Sequence, residues 1–142
     1  MRLALSLTVV LMITIPTIAD EPKPAADARV FELRTYHANP GKMAALHARF
    51  RDHTCKLFEK HGITNVGYWH PVKGEKAADS TLVYLLAHKD KDAAKKSWDA
   101  FRADADWTAA RKASEAKAGG PLTVKGGVVS VYLKPTDYSP MK

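Results

Sequence analysis

The chain has 142 residues, with 22 Lys+Arg against 15 Asp+Glu and a single cysteine. That length supports one domain, and the lone cysteine excludes an internal disulfide framework, a CxxC redox pair and any multi-cysteine zinc or iron–sulfur centre. With 46% hydrophobic and 26% charged residues, the chain is neither disordered nor collagen-like.

Met1-Arg2 gives a short positive start, and Leu3 to Ile18 then runs without a charge to Thr17-Ile18-Ala19. Residues 1–19 therefore read as a secretory signal peptide cut near Ala19. The alternative is an uncleaved anchor, but a span needs about 20 apolar residues, and this stretch is shorter and carries Pro16 near its end. The expectation is an exported protein, periplasmic or extracellular, with no stable membrane insertion after cleavage. Residues 20–28 (DEPKPAADA) read as a flexible spacer, residues 29–133 as the domain and residues 134–142 as a C-terminal tail.

Val30 to Tyr36 alternates, with Phe31, Leu33 and Thr35 on one side and Glu32, Arg34 and Tyr36 on the other, the pattern of a strand. Asn39-Pro40-Gly41 is turn chemistry. Met43, Leu46, Phe50, Leu57 and His61 then recur at helical steps, with Thr54 on the same stripe, His47 and His53 flanking it, and Gly62 as a stop. On an unbroken α-helix Cys55 falls nearly opposite, toward solvent, where it could cross-link two copies but has no partner for catalysis.

Ile63 to Val72 is β-prone, residues 73–80 form a hairpin loop, and Thr81 to His88 is apolar on both parities, so it is covered on both faces. Ala94, Trp98, Phe101 and Ala105 define a second helix. Trp107 falls off that stripe, which predicts a break near Asp104 to Asp106 and a short helix restarted by an aspartate cap. Gly119-Gly120-Pro121 ends it, and Val128 to Leu133 is the last strand.

This βαββαβ order is the ferredoxin-like unit, an α+β fold with helices on one face of a four-stranded antiparallel sheet. The other face would carry either Tyr84 and Leu86 or Val83 and Leu85. An apolar face of that size marks an interaction site, and pairing two copies sheet to sheet would cover it.

VFELRTY (Val30 to Tyr36), Pro40-Gly41-Lys42, the Phe50-bearing helix, VGYWHP (Val66 to Pro71) and the segment Ser97 to Trp107 resemble the NIPSNAP family over nearly all of 29–133. The resemblance implies a homodimeric α+β barrel. The wider barrel superfamily includes cofactor-free monooxygenases and haem-handling enzymes, an analogy of fold only.

If Phe31 and Leu33 face the helices, then Glu32, Arg34 and Tyr36 line the barrel interior, joined by Tyr68, His70, Tyr84, His88 and Tyr132. Arginine binds carboxylates in bidentate fashion and histidine exchanges protons near neutral pH, so such a cavity suits a small planar or acidic ligand. The competing and favoured reading of these residues is that the charges pair with neighbours and the tyrosines pack, since buried charges need partners with or without a ligand. His47, His53 and His61 are six and eight apart, spacings that do not converge on a metal.

The leading function is a binding module for a small, partly apolar ligand, with no catalytic residue, metal or cofactor assigned. One alternative is an oxygenase-like or haem-handling barrel in which Arg34 holds an acidic substrate, His70 or His88 is the base and Tyr36 the donor. Another is a structural interaction module. The lysines are scattered among acids, with no basic stripe, so nucleic acid is not an expected partner.

Overall fold

The computed structural model describes residues 29–142; the expected signal peptide and spacer lie outside the described residues. Four strands, β1 (Val30–Ala38), β2 (Thr64–Trp69), β3 (Thr81–His88) and β4 (Thr123–Leu133), form one antiparallel sheet in the order β2-β3-β1-β4. The first crossover is a continuous helical rod: α1 (Met43–Arg49), a π-helical turn (Phe50–Thr54) and α2 (Cys55–Lys60). The second is α3 (Lys91–Ala103) followed by α4 (Ala105–Lys117).

The break between α3 and α4 falls where Trp107 leaves the helical stripe, although α4 is as long as α3 rather than short. Asp104 caps α4 by accepting from the backbone N–H groups of Asp106 (2.7 Å) and Trp107 (3.3 Å). The same carboxylate takes Lys60 Nζ at 2.8 Å and His61 Nε2 at 2.6 Å, so one side chain ties the end of α2 to the bend between α3 and α4. Hydrogen bonds from Lys60 and His61 hold the Asp104 carboxyl well below the usual range. The bend brings Trp107 against Phe101, ring centroids 4.6 Å apart.

The π turn alters the face that follows it. The Cys55 N–H bonds to the Phe50 carbonyl, five residues back, so Cys55 stacks above Phe50 instead of pointing away from it. Cys55 is consequently half-buried and packed on the core, which corrects the expectation of a solvent-facing thiol.

Strand parity is also the reverse of the first assignment. Glu32, Arg34, Tyr36, Leu82, Tyr84 and Leu86 lie on the side covered by helices, where Leu46, Phe50, Phe58, Trp98 and Phe101 complete the core. The open face carries Leu33, Val83 and Leu85 with Val129, Val131 and Leu133. A bulge between Asn65 and Gly67 shifts β2 by one residue, so Tyr68 faces the helices opposite Tyr84 and Trp69 turns to the open side. The tail lies beside that face: Pro135 and Met141 share a cavity of about 260 Å³ with Phe31, Leu85 and Leu133.

A second bulge, between Tyr36 and Ala38 of β1, is absorbed in β4 around Gly126 and Gly127. A Cβ on Gly127 would stand 2.3 Å from Val124 Cγ2, 3.0 Å from the Val124 carbonyl oxygen and 3.1 Å from that of His37, so both the Val124 side chain and the backbone around it would have to shift. Gly127→Ala is therefore expected to lower the unfolding free energy by roughly 1–3 kcal/mol, measured by urea denaturation.

Candidate functional site

Glu32 is buried under the helices with every donor it meets supplied by another side chain. Its side chain is 1% exposed, and β1 holds it under α3. Oε1 accepts from Arg34 Nη1 (2.6 Å) and Ser130 Oγ (2.6 Å), while Oε2 accepts from Trp98 Nε1 (2.7 Å) and His88 Nε2 (2.9 Å). Burial alone would raise the carboxyl, but hydrogen bonds from His88, Ser130, Trp98 and Arg34 outweigh it and bring the pKa down from 4.5 to about 2. The ionised carboxylate can only accept, so His88 carries its hydrogen on Nε2. That leaves His88 Nδ1 buried without a partner among the described residues.

Arg34 is held on every side. Nε donates to the Tyr84 hydroxyl at 2.8 Å, Nη1 to Glu32, and Nη2 to the Tyr36 hydroxyl at 3.4 Å, with the guanidinium 4.3 Å from the Trp98 ring centroid. Burial opposes its charge, but the Tyr84 and Tyr36 hydroxyls and Glu32 raise its pKa overall. Tyr84, fully buried, is pushed well up, chiefly by burial. Tyr68 stacks on it at 5.3 Å, and burial pushes its hydroxyl up as well; that hydroxyl donates to Asn65 Oδ1.

Of the eight residues singled out in the sequence, Glu32, Arg34, Tyr36, Tyr84 and His88 thus form one network, with Tyr68 packed on it. Tyr132 sits at its edge, 6.2 Å from the His88 ring and under Lys91. None of these seven faces a second sheet. They lie between this sheet and its own helices, because the donors that satisfy Glu32 include the α3 indole, and this corrects the barrel-interior placement. His70 stands apart, exposed just beyond β2.

His70 borders a different feature, a cavity of about 230 Å³ between the π turn and the β2–β3 edge of the sheet. Phe50, Cys55, Tyr68, Trp69 and Leu82 wall it, and His47, His70 and Arg51 stand around it. The two imidazoles are 6.0 Å apart, and Arg51 forms no ion pair among the described residues. Burial, then the charges of His70 and Arg51, lower the pKa of His47 from 6.5. Phe50 joins this cavity to the network behind it, meeting Tyr36, Tyr68 and Tyr84 edge-on. His53 and His61 point elsewhere, His61 to Asp104. Among the described residues no three His, Cys, Asp or Glu side chains cluster as a metal site, and no helix is long and apolar enough to cross a membrane.

Sequence reasoning passed over the pairing of Trp98 and Ser130 with Glu32, and also Arg49. Trp98 was readable only as core, since its N–H partner lies 66 residues away. Arg49 left a trace, a charged residue three positions after Leu46 on the buried stripe.

The sheet order and the helices on one face define a ferredoxin-like α+β domain. The sequence profile of the NIPSNAP family matches residues 31–140, and the chain belongs to that family. A NIPSNAP family protein of unknown function from Agrobacterium tumefaciens has a similar fold, with a TM-score of 0.67 at 19% identity over 83% of this chain and 97% of that one. An uncharacterised NIPSNAP-like domain protein from Burkholderia xenovorans gives 0.66 at 18% identity, covering 80% and 90%. SnoaB, a cofactor-independent oxygenase from Streptomyces nogalater, gives 0.52 at 15%, covering 80% and 98%. No curated protein matches the chain in sequence.

The Glu32 network has a defined pH dependence. Its folded pKa is depressed, so its stabilisation is complete above about 4.5 and is lost as pH falls toward about 2. Glu32→Gln is expected to cost roughly 3–5 kcal/mol at neutral pH, as when a buried pair loses one partner. The variant's stability should also vary less between those two pH values, as followed by denaturant titration at several pH values.

Proposed function

We propose that this NIPSNAP domain is an exported, homodimeric binding module that holds a small, partly apolar anion in the cavity beside Tyr68 and His70. The observation that carries the reading is the imbalance there. Two imidazoles and a guanidinium with no ion pair among the described residues surround an aromatic and aliphatic pocket with no carboxylate among its lining residues. Burial, and after it the charges of His70 and Arg51, lower the His47 pKa; an anionic head would offset those charges, and its apolar body would meet Phe50, Tyr68 and Leu82.

In this reading the ligand does not use Arg34. The guanidinium of Arg34 already donates to three partners, so a substrate carboxylate would have to displace Glu32 or a tyrosine. Likewise His88 is committed to Glu32. Both commitments support binding over turnover as the favoured reading. Benzoate titrated into the protein and followed by NMR should raise the His47 pKa and shift the Tyr68 resonances. In the His47→Ala/His70→Ala double variant the shifts should disappear. Benzoate shifts that persist unchanged in that variant would place the ligand elsewhere.

Pairing is supported by the open face, where Val129 and Val131 are each 48% exposed beside half-buried Leu33, Val83 and Leu85. Native mass spectrometry of the secreted protein is expected to give a dimer of chains beginning at Asp20, with Val131→Lys converting it to monomer. A wild-type monomer, or a chain retaining residues 1–19, would contradict the corresponding part of the proposal.

A further inference from the structure

Arg49 closes α1 immediately before the π turn, and its side chain is 6% exposed. Its Nε and Nη1 are buried without a hydrogen-bond partner among the described residues. The one carboxylate within ion-pair range is that of Glu115, whose Oε1 is 3.6 Å from Nη1 and accepts instead from Arg111 Nε at 3.3 Å. The Trp107 ring, its centroid 5.3 Å from the guanidinium carbon, offers a π face but no acceptor. A buried guanidinium needs acceptors to offset its lost hydration, and the described residues provide too few.

Arg49 borders a cavity of about 370 Å³ between the α1–π rod and α4. Alanine methyl groups from both helices, those of Ala48, Ala110 and Ala113 among them, make up half of its lining. These short side chains keep the space between the helices open. Lys117 and His53 stand among the lining residues with a single acid, Asp52. The cavity lies across the rod from His47 and Arg51, and on the helix side of the domain, away from the open sheet face.

We infer that this groove is a second ligand site, selective for an amphipathic monocarboxylate of the medium-chain fatty acid type. The carboxylate supplies the acceptors that Arg49 lacks, in the planar bidentate geometry a guanidinium favours. The hydrocarbon lies along the alanine walls. At the roughly 30 Å³ occupied by a water-sized group, the cavity takes on the order of a dozen non-hydrogen atoms, the size of decanoate. An uncharged alcohol of the same length would fill the walls but offer the guanidinium a single neutral acceptor in place of a charged pair.

The test is calorimetric titration of the mature protein with decanoate at pH 8, with decanol as the uncharged control. Saturable one-to-one binding of decanoate is expected, tighter than that of decanol. Arg49→Met should weaken decanoate by about tenfold or more and decanol much less. Ala113 is exposed at the edge of α4, so Ala113→Phe should block the groove while keeping the wild-type melting temperature, and should abolish binding of both. The His47→Ala/His70→Ala variant should bind decanoate as the wild type does, which separates this site from the proposed anion cavity. Absence of saturable binding up to about 1 mM, equal affinity for decanol, undiminished binding by Arg49→Met, or loss of binding in the double-histidine variant would each overturn the assignment.

Discussion

A carboxylate taken out of water must be given back as many partners as it lost, and in this domain that requirement organises the interior. Glu32 obtains its four donors from β1, β3, β4 and α3. No single element can satisfy it, so the charge is affordable only when sheet and helix are docked together. The hydrogen bond to Trp98 is the decisive one, since it fixes the indole over which Arg34 lies. Arg34 then orients Tyr84 and Tyr36, and Tyr84 provides the surface on which Tyr68 stacks. The aromatic back wall of the His47–His70 cavity is thus several steps removed from, but dependent on, one ionised side chain.

The helical rod distributes the remaining chemistry to its two sides. With one residue more than an α turn, the π segment turns Cys55 inward in line with Phe50 and leaves His47 and Arg51 beside the cavity at the β2–β3 edge. Ala48, Arg49 and Asp52 lie on the other flank, facing α4. Such turns are often found at functional positions. Here the insertion lets a single rod border two cavities of different character, one aromatic and ringed by histidines, the other aliphatic with an arginine on its wall.

The element order, the hairpin at 73–80 and the aspartate-capped restart at Asp104 were legible in the sequence, because each rests on local chemistry: alternation, turn residues, and the off-stripe position of Trp107. Parity was not legible. Phe31 and Leu33 are apolar, and an apolar side is ordinarily taken for the core side. In a sheet with two apolar faces that rule loses its force, since the faces differ only in what covers them. The face bearing a Glu and an Arg proved to be the interior one, because their donors lie on β3, β4 and α3, far off in the chain. The inward turn of Cys55 was equally hidden, as nothing in FRDHT distinguishes a π turn from an α turn. His47 flanks the helical stripe and His70 follows β2, so their approach exists only once the rod packs on the sheet edge.

The tail has a topographic consequence. Its last residues fold on themselves, with Lys142 Nζ donating to the carbonyls of Thr136 and Asp137, and with Met141 lying near Phe31 and Leu85. The chain therefore finishes next to the apolar sheet surface and not behind the helices. A fused tag or reporter attached at Lys142 would emerge onto the rim of that surface and crowd whatever approaches it, whereas a label on the outer side of α3, at Lys96 for example, would leave the approach clear.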